Sequence, residues 1–270
     1  MPDSFYEPDG DRFVSTELTR GPWDPDSQHA GPPAALIGRE VERLGGGLIG
    51  GEGGPPAQVG RITYEVVRPV PIAPLRVAAE IVRPGRRVEM FEATLSDEQG
   101  EVLMRARGWR LRTERVSFEA PQSPEPPPGP DRGEPGEFFH TGYDVGYHTA
   151  MEYRFVSGAF MEVGPATVWM RMGVPLLPGE EPTPLQRVLA AADSGNGVSA
   201  SLDWSSYLFI NVDLTVHLHR MPQGEWVCLD AVTLPETNGI GMADTRLLDE
   251  RGPIGRGVQT LLVAEREGPT

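Results

Sequence analysis

This chain repeats itself once, and the repeat limits what it can fold into. Arg68 lies 32 residues before Gly100 of the turn sequence Leu95-Ser96-Asp97-Glu98-Gln99-Gly100. Arg220 lies 32 residues before Gly252 of Leu248-Asp249-Glu250-Arg251-Gly252. Pro33 to Arg68 covers 35 residues, and Pro184 to Arg220 covers 36. Two copies of this length mean a duplicated unit and not a solenoid. Between them, residues 117–137 (SFEAPQSPEPPPGPDRGEPGE) concentrate proline and acidic side chains. Proline fixes φ and removes a donor, and this stretch holds too few apolar residues to offset the entropy of ordering. The chain therefore divides into residues 1–116, a Pro-rich extended linker over 117–145, and residues 146–270.

Each copy carries the same local pattern. The first predicts a helix from Gly31-Pro32-Pro33, with Ala34, Ile37, Val41 and Leu44 on one stripe. The second opens on Thr183-Pro184-Leu185-Gln186, a capping box with proline at the first helical position. Leu185, Val188, Leu189 and Ala192 then recur at helical spacing, and Asp193-Ser194-Gly195 reads as the stop. β-rich segments follow at 60–68, 75–83, 87–97 and 101–112, and again at 209–219, 226–234, 240–249 and 254–264. A helix with too little polar surface to stand in water, followed by four antiparallel strands, predicts a sheet wrapped around it. The expected class is α+β: two tandem hot-dog units, each a long helix wrapped by an antiparallel sheet.

Composition narrows the function. The net charge of −15 opposes a nucleic-acid partner, because phosphates would meet like charge over most of the surface. Eight arginines between Arg83 and Arg115 leave the first half as the better place for a small anion. No apolar run approaches the ~20 residues that span a bilayer, so no membrane association is expected. The acidic Met1-Pro2-Asp3-Ser4 lacks the basic and apolar regions of a secretion signal, and Cys228 is the one cysteine. Both point to a reducing, cytoplasmic setting.

The segments Ile62-Thr63-Tyr64-Glu65-Val66-Val67-Arg68-Pro69, Arg107-Gly108-Trp109 and Val212-Asp213-Leu214-Thr215-Val216-His217-Leu218-His219-Arg220 resemble the acyl-CoA thioesterase II family. Its members are double hot-dog proteins, and the similarity runs along nearly all the chain outside the linker. The resemblance implies hydrolysis of an acyl-CoA or acyl-pantetheine thioester by a water held among an Asp, a hydroxyl residue and a Gln, with no cofactor and no metal. It places the Asp on Asp213 and the amide on Gln259. The hydroxyl falls on Thr233, with Thr237 as the alternative. It also implies a backbone oxyanion donor at the start of the first helix, near His29, Ala30 and Gly31. The family commonly has His after its Asp, where this chain has Leu214, and a Gly-Gly pair where this chain has Ala30-Gly31.

The repeat tests this assignment independently. Aligned on its anchors, Asp213, Thr233 and Gln259 match Arg61, Ile81 and Arg107, so one site per chain is expected, on the second sheet. Segments 209–219 and 254–264 should then be neighbours, with Asp213 and Gln259 facing one cavity. An unperturbed Asp, with a pKa of about 3.9, is ionised at neutrality and can accept a proton. Asp24 and His29 have the Asp-x4-His spacing of hot-dog enoyl-CoA hydratases, which makes hydration the runner-up; an acyl-binding module without catalysis is the third reading. His217 and His219 share a strand face but lack a third metal ligand, and Cys228 reads as core. Fusion of two copies already supplies the pairing of single units, and leaves room for further assembly into a homo-oligomer.

Overall fold

The computed structural model describes residues 2–45, 47–50, 54–119, 124–136, 138 and 141–266. The first half contains β1 (Tyr6–Asp9), β2 (Arg12–Ser15), α1 (Gly31–Glu42), β3 (Ala57–Val66), β4 (Pro74–Arg83), β5 (Val88–Ser96) and β6 (Val102–Arg112). After β7 (Glu134–Pro135) and the one-turn α2 (Tyr147–Ala150), the second half repeats the series. It has β8 (Met151–Ser157), β9 (Ala166–Met172), α3 (Pro184–Ala192) and α4 (Gly195–Val198). Then come β10 (Tyr207–Asn211), β11 (Asp213–Leu218), β12 (Val227–Pro235), β13 (Ile240–Asp249) and β14 (Gly252–Glu265).

All of these strands join one antiparallel sheet in the order β1-β2-β4-β5-β6-β3-β11-β14-β13-β12-β9-β8-β7, and β10 also pairs with β14. The internal order of the halves matches: β4-β5-β6-β3 mirrors β12-β13-β14-β11. The seam is the pairing of β3 with β11, from Asp213 opposite Glu65 to His217 opposite Arg61. Gly100 and Gly252 both have positive φ, +83° and +116°, as their repeated turns require. Segments 209–219 and 254–264 are indeed neighbours, through β10 and β11 against β14.

The sheet curls, and its inner face covers α1 and α3, which lie against each other. The Tyr64 hydroxyl donates to the Ala34 carbonyl at 2.9 Å, tying α1 to the seam strand. Ala34, Leu36, Ile37 and Val41 of α1 and Leu185, Val188 and Leu189 of α3 are buried in one apolar core with Ile62, Tyr64, Leu214 and Val216. Burying an aliphatic side chain contributes roughly 1.5–3 kcal/mol, so this shared layer is the main force joining the halves.

Two expectations need correction. The helices have 12 and 9 residues and are not long; α3 keeps the expected Thr183 cap and Asp193 stop, whereas α1 ends early. Leu44 falls past the end of α1, beyond the Arg43 cap, although it still rests on the core. The linker is not extended throughout: Trp169 Nε1 donates to the Pro128 carbonyl at 2.8 Å, Pro130 is buried, and β7 pairs with β8 as the edge strand of the sheet. A sheet edge tolerates proline because the missing donor faces away from the ladder. Residues 120–123, 137, 139 and 140 of the expected linker lie outside the described residues. Among the described residues no helix is long and apolar enough to cross a membrane, and no group of His, Cys, Asp and Glu is arranged to hold a metal.

Candidate active site

The site grows from the end of α3. Thr183 Oγ1 accepts from the Gln186 N–H at 3.2 Å, and the helix runs to Asp193 as C-cap. A carboxylate there opposes the negative end of the helix dipole, so it needs other partners. Asp193 Oδ1 accepts from Asn211 Nδ2 at 2.8 Å and from Gln259 Nε2 at 3.2 Å, and Oδ2 lies 3.2 Å from His29 Nδ1. Gln259 is oriented from its other side, where Oε1 accepts from the Asn196 N–H of α4 at 3.1 Å. Asp193 is 5% and Gln259 1% exposed, so the carboxylate is held by amides in a dry setting where each hydrogen bond counts for more.

His29 approaches from the other half. Its ring stacks on Tyr147, centroids 3.8 Å apart and 8° from parallel, and Tyr147 Oη donates to the Ala190 carbonyl at 2.7 Å. Burial pushes the imidazole pKa below its usual value, with the nearby Asp193 charge partly opposing, so the ring is neutral at pH 7. Nδ1 accepts from the Gly31 N–H at 3.1 Å, so it is the unprotonated nitrogen of the neutral ring and lies beside Asp193 Oδ2 without donating to it. The Gly31 N–H stands at the start of α1, where backbone donors lack helical partners. Only glycine fits here, since a Cβ would clash with the Ala190 carbonyl oxygen.

Of the expected residues, Gln259, His29, Ala30 and Gly31 are in or beside this cluster, and Asp213 is not. Asp213 Oδ1 accepts from the Thr260 N–H at 2.6 Å on the outer face of the sheet, opposite to Gln259. The reason is a break at Val212. Phe209 and Asn211 turn inward before it, whereas Leu214, Val216 and Leu218 turn inward after it. A one-residue slip moves every later side chain to the other face. The expected shared cavity of Asp213 and Gln259 is therefore absent, and Asp193 holds the place given to Asp213. Thr233 is buried behind the cluster, 2.9 Å from Ser199 Oγ, which donates to the Gly195 carbonyl; it braces α4 and does not face Asp193. Asp193 and Asn211 were missed, the first because it reads as a helix stop. Its signal was an acidic residue at a helix C-terminus, contrary to the dipole rule.

The other candidates separate. Asp24 is exposed and caps its own turn through the Asp26 N–H at 2.8 Å, so it makes no pair with His29. His217 and His219 are exposed on the outer face, and Cys228 is buried with its thiol pKa raised by burial. The repeat register also shifts. Gly108 sits between Ile62 and Phe91, as Gly257 sits between Val216 and Thr245. The counterpart of Gln259 is thus Arg110, not Arg107. Arg110 Nη2 pairs with Glu89 Oε2 at 2.8 Å, both buried, and Nη1 donates to the Leu44 carbonyl at 3.1 Å. An ion pair that grips the end of α1 occupies the first copy's equivalent of the site.

A narrow cleft opens beside Asp193. Its walls are Pro22, Trp23, His29, Phe138, Tyr147, Tyr153, Phe160, Ser194, Asn196, Gly197 and Trp204, drawn from both halves. Trp23 stacks on Trp204 at 4.6 Å, and Phe160 meets Phe138 and Tyr153 edge-on at 4.5 and 4.9 Å. Such a cleft can hold an acyl group with its carbonyl near the carboxylate.

Comparison with known proteins bears on the family and the fold. The family model for the acyl-CoA thioesterase N-terminal domain matches residues 19–111, and that for the C-terminal domain matches residues 119–263. No curated protein matches the sequence. Among solved structures, a candidate thioesterase II from Thermobifida fusca YX is similar, with TM-score 0.71 and 17% identity over 95% of this chain and 93% of that one. A protein of unknown function with a hot-dog fold from Alicyclobacillus acidocaldarius gives TM-score 0.71 and 16% identity over 98% and 96%. The tesB protein of Mycobacterium avium subs paratuberculosis gives 0.63 and 14% over 96% and 95%. These likenesses show the fold alone. With both halves matched in order by its two domains, the chain belongs to the acyl-CoA thioesterase family and is a thioester hydrolase.

Proposed function

We propose that the two halves are tandem hot-dog units with one hydrolytic site between them, and that Asp193, not Asp213, activates the water. The observation that carries this reading is the buried Asp193 carboxylate, held by Asn211 and Gln259 beside an aromatic cleft with the Gly31 N–H nearby. A carboxylate offers about four acceptor positions. Asn211 and Gln259 use positions on Oδ1, and the water takes one of those left.

The water attacks the thioester carbonyl carbon while Asp193 takes its proton. The carbonyl oxygen becomes an oxyanion and is held by the Gly31 N–H. Collapse of the tetrahedral intermediate breaks the C–S bond, and Asp193 returns the proton to the thiolate. The acid and the free thiol leave. Asn211 and Gln259 fix the carboxylate and water without reacting, and neutral His29, stacked on Tyr147, packs beside Asp193. The substrate carries a phosphopantetheine arm, of CoA or of a carrier.

A hydrolysis screen over acyl-CoA chain lengths, read by thiol release, tests the reading. Release in the wild type and its loss in Asp193→Asn would support it. Activity retained in Asp193→Asn would sink the role given to this residue. Saturable acyl-CoA binding without thiol release would favour the binding module, and hydration of an enoyl-CoA lost in His29→Ala would favour the hydratase.

A further inference from the structure

The acyl cleft has one polar group that the hydrolytic step leaves unused. Tyr153 is 5% exposed, its ring lines the cleft, and among the described residues its hydroxyl has no hydrogen-bond partner. Its neighbours are hydrocarbon: Phe160 meets the ring edge-on at 4.9 Å and Phe138 lies 6.1 Å away. Packing alone does not call for the hydroxyl. Phe155, the next inward residue of β8, meets the same Phe160 at 5.0 Å with a plain phenyl ring. A buried hydroxyl left unpaired forfeits its hydration with nothing in return, so a tyrosine here needs a compensating partner. The rings of Phe160 and Phe138 flank the tyrosine on this side of the cleft, and a group that enters the cleft can supply one.

We propose that Tyr153 determines acyl specificity: its hydroxyl hydrogen-bonds an oxygen carried by the acyl group, so the favoured substrates are compact hydroxy- or oxo-acyl thioesters. This rests on the hydrolytic reading for the identity of the ligand. A site built to pair a substrate oxygen discriminates against the analogue that lacks it more strongly than a hydrocarbon pocket discriminates by size.

The test uses the full chain and non-hydrolysable ketone analogues of acyl-CoA, in matched pairs with and without a terminal hydroxyl, at several chain lengths. Affinity is measured by calorimetry in the wild type and in Tyr153→Phe, with unfolding midpoints measured alongside. The expected result is about tenfold or tighter binding of the hydroxylated member at one length at least. That preference should vanish in Tyr153→Phe, with an unfolding midpoint equal to or above that of the wild type. Equal binding of both members at every length would overturn the proposal, as would a preference that survives in Tyr153→Phe. A lower midpoint with unchanged preference would assign the hydroxyl a structural role and overturn it too. Thiol release without the preference removes this proposal and keeps the hydrolase; the preference without thiol release does the reverse.

Discussion

Three partners from distant parts of the chain converge on the Asp193 carboxylate: Asn211, Gln259 and, across the halves, His29. Removing a general base lowers turnover by about 10²–10⁴-fold. We expect that loss in kcat for Asp193→Asn, against little change for Asp213→Asn, whose carboxylate faces outward. Thiol-release kinetics on both variants would decide, and equal losses would show that the face assignment is wrong. His29 adds a pH dependence. Its folded pKa is depressed, whereas an unfolded histidine titrates near about 6.5. Below that value the unfolded chain binds the extra proton, so stability falls as pH drops toward the lower folded value. Unfolding midpoints at neutral and acid pH should fall less in His29→Gln than in the wild type; parallel falls would show that burial of this ring is not felt.

At the scale of elements, the two helix starts do different work. Thr183 caps α3 in a capping box, and its hydroxyl also donates to Glu42 Oε2 at 2.7 Å, at the far end of α1. Thr183→Ala should cost about 1 kcal/mol in a denaturant titration and leave kcat unchanged. At Gly31 an added Cβ would meet the Ala190 carbonyl of α3, a backbone oxygen that cannot swing aside. Gly31→Ala should cost about 1–3 kcal/mol and also lower kcat, because it moves the N–H given the oxyanion role. Loss of stability at full kcat would remove Gly31 from the oxyanion role.

The whole molecule is asymmetric although its architecture is repeated. One copy of the pseudo-equivalent position keeps Gln259 for the site; the other holds Arg110, buried with Glu89 and gripping the carbonyls of Leu44 and Ile49. Glu89 accepts in turn from the Leu48 and Ile49 N–H groups, so the pair closes the loop after α1. Breaking one side of a buried pair costs about 3–5 kcal/mol, whereas replacing both with apolar groups costs far less. Arg110→Met should therefore destabilise strongly, and Glu89→Leu with Arg110→Met should recover much of the loss. Additive losses in a double-mutant cycle would count against the coupling.

The strands, the two helix starts and the turn glycines follow from local pattern, because alternation, capping and positive φ are properties of neighbouring residues. Gln259 and the segment around His29 came from the family resemblance and not from local pattern. Asp193 was not legible, since a helix-terminal Asp before Ser-Gly is also an ordinary stop signal. Asn211 and Asp213 exchanged faces because a single irregular residue, Val212, resets the alternation between β10 and β11, and nothing local marks it. The Arg110 correspondence emerged only from the strand pairing, because counting along the chain carries every bulge and turn length as an error. Sequence thus determined the elements and their duplication, while the tertiary structure alone decided which side chains meet: the contact of Asp193 with Gln259 spans 66 residues and depends on how the sheet curls around two helices.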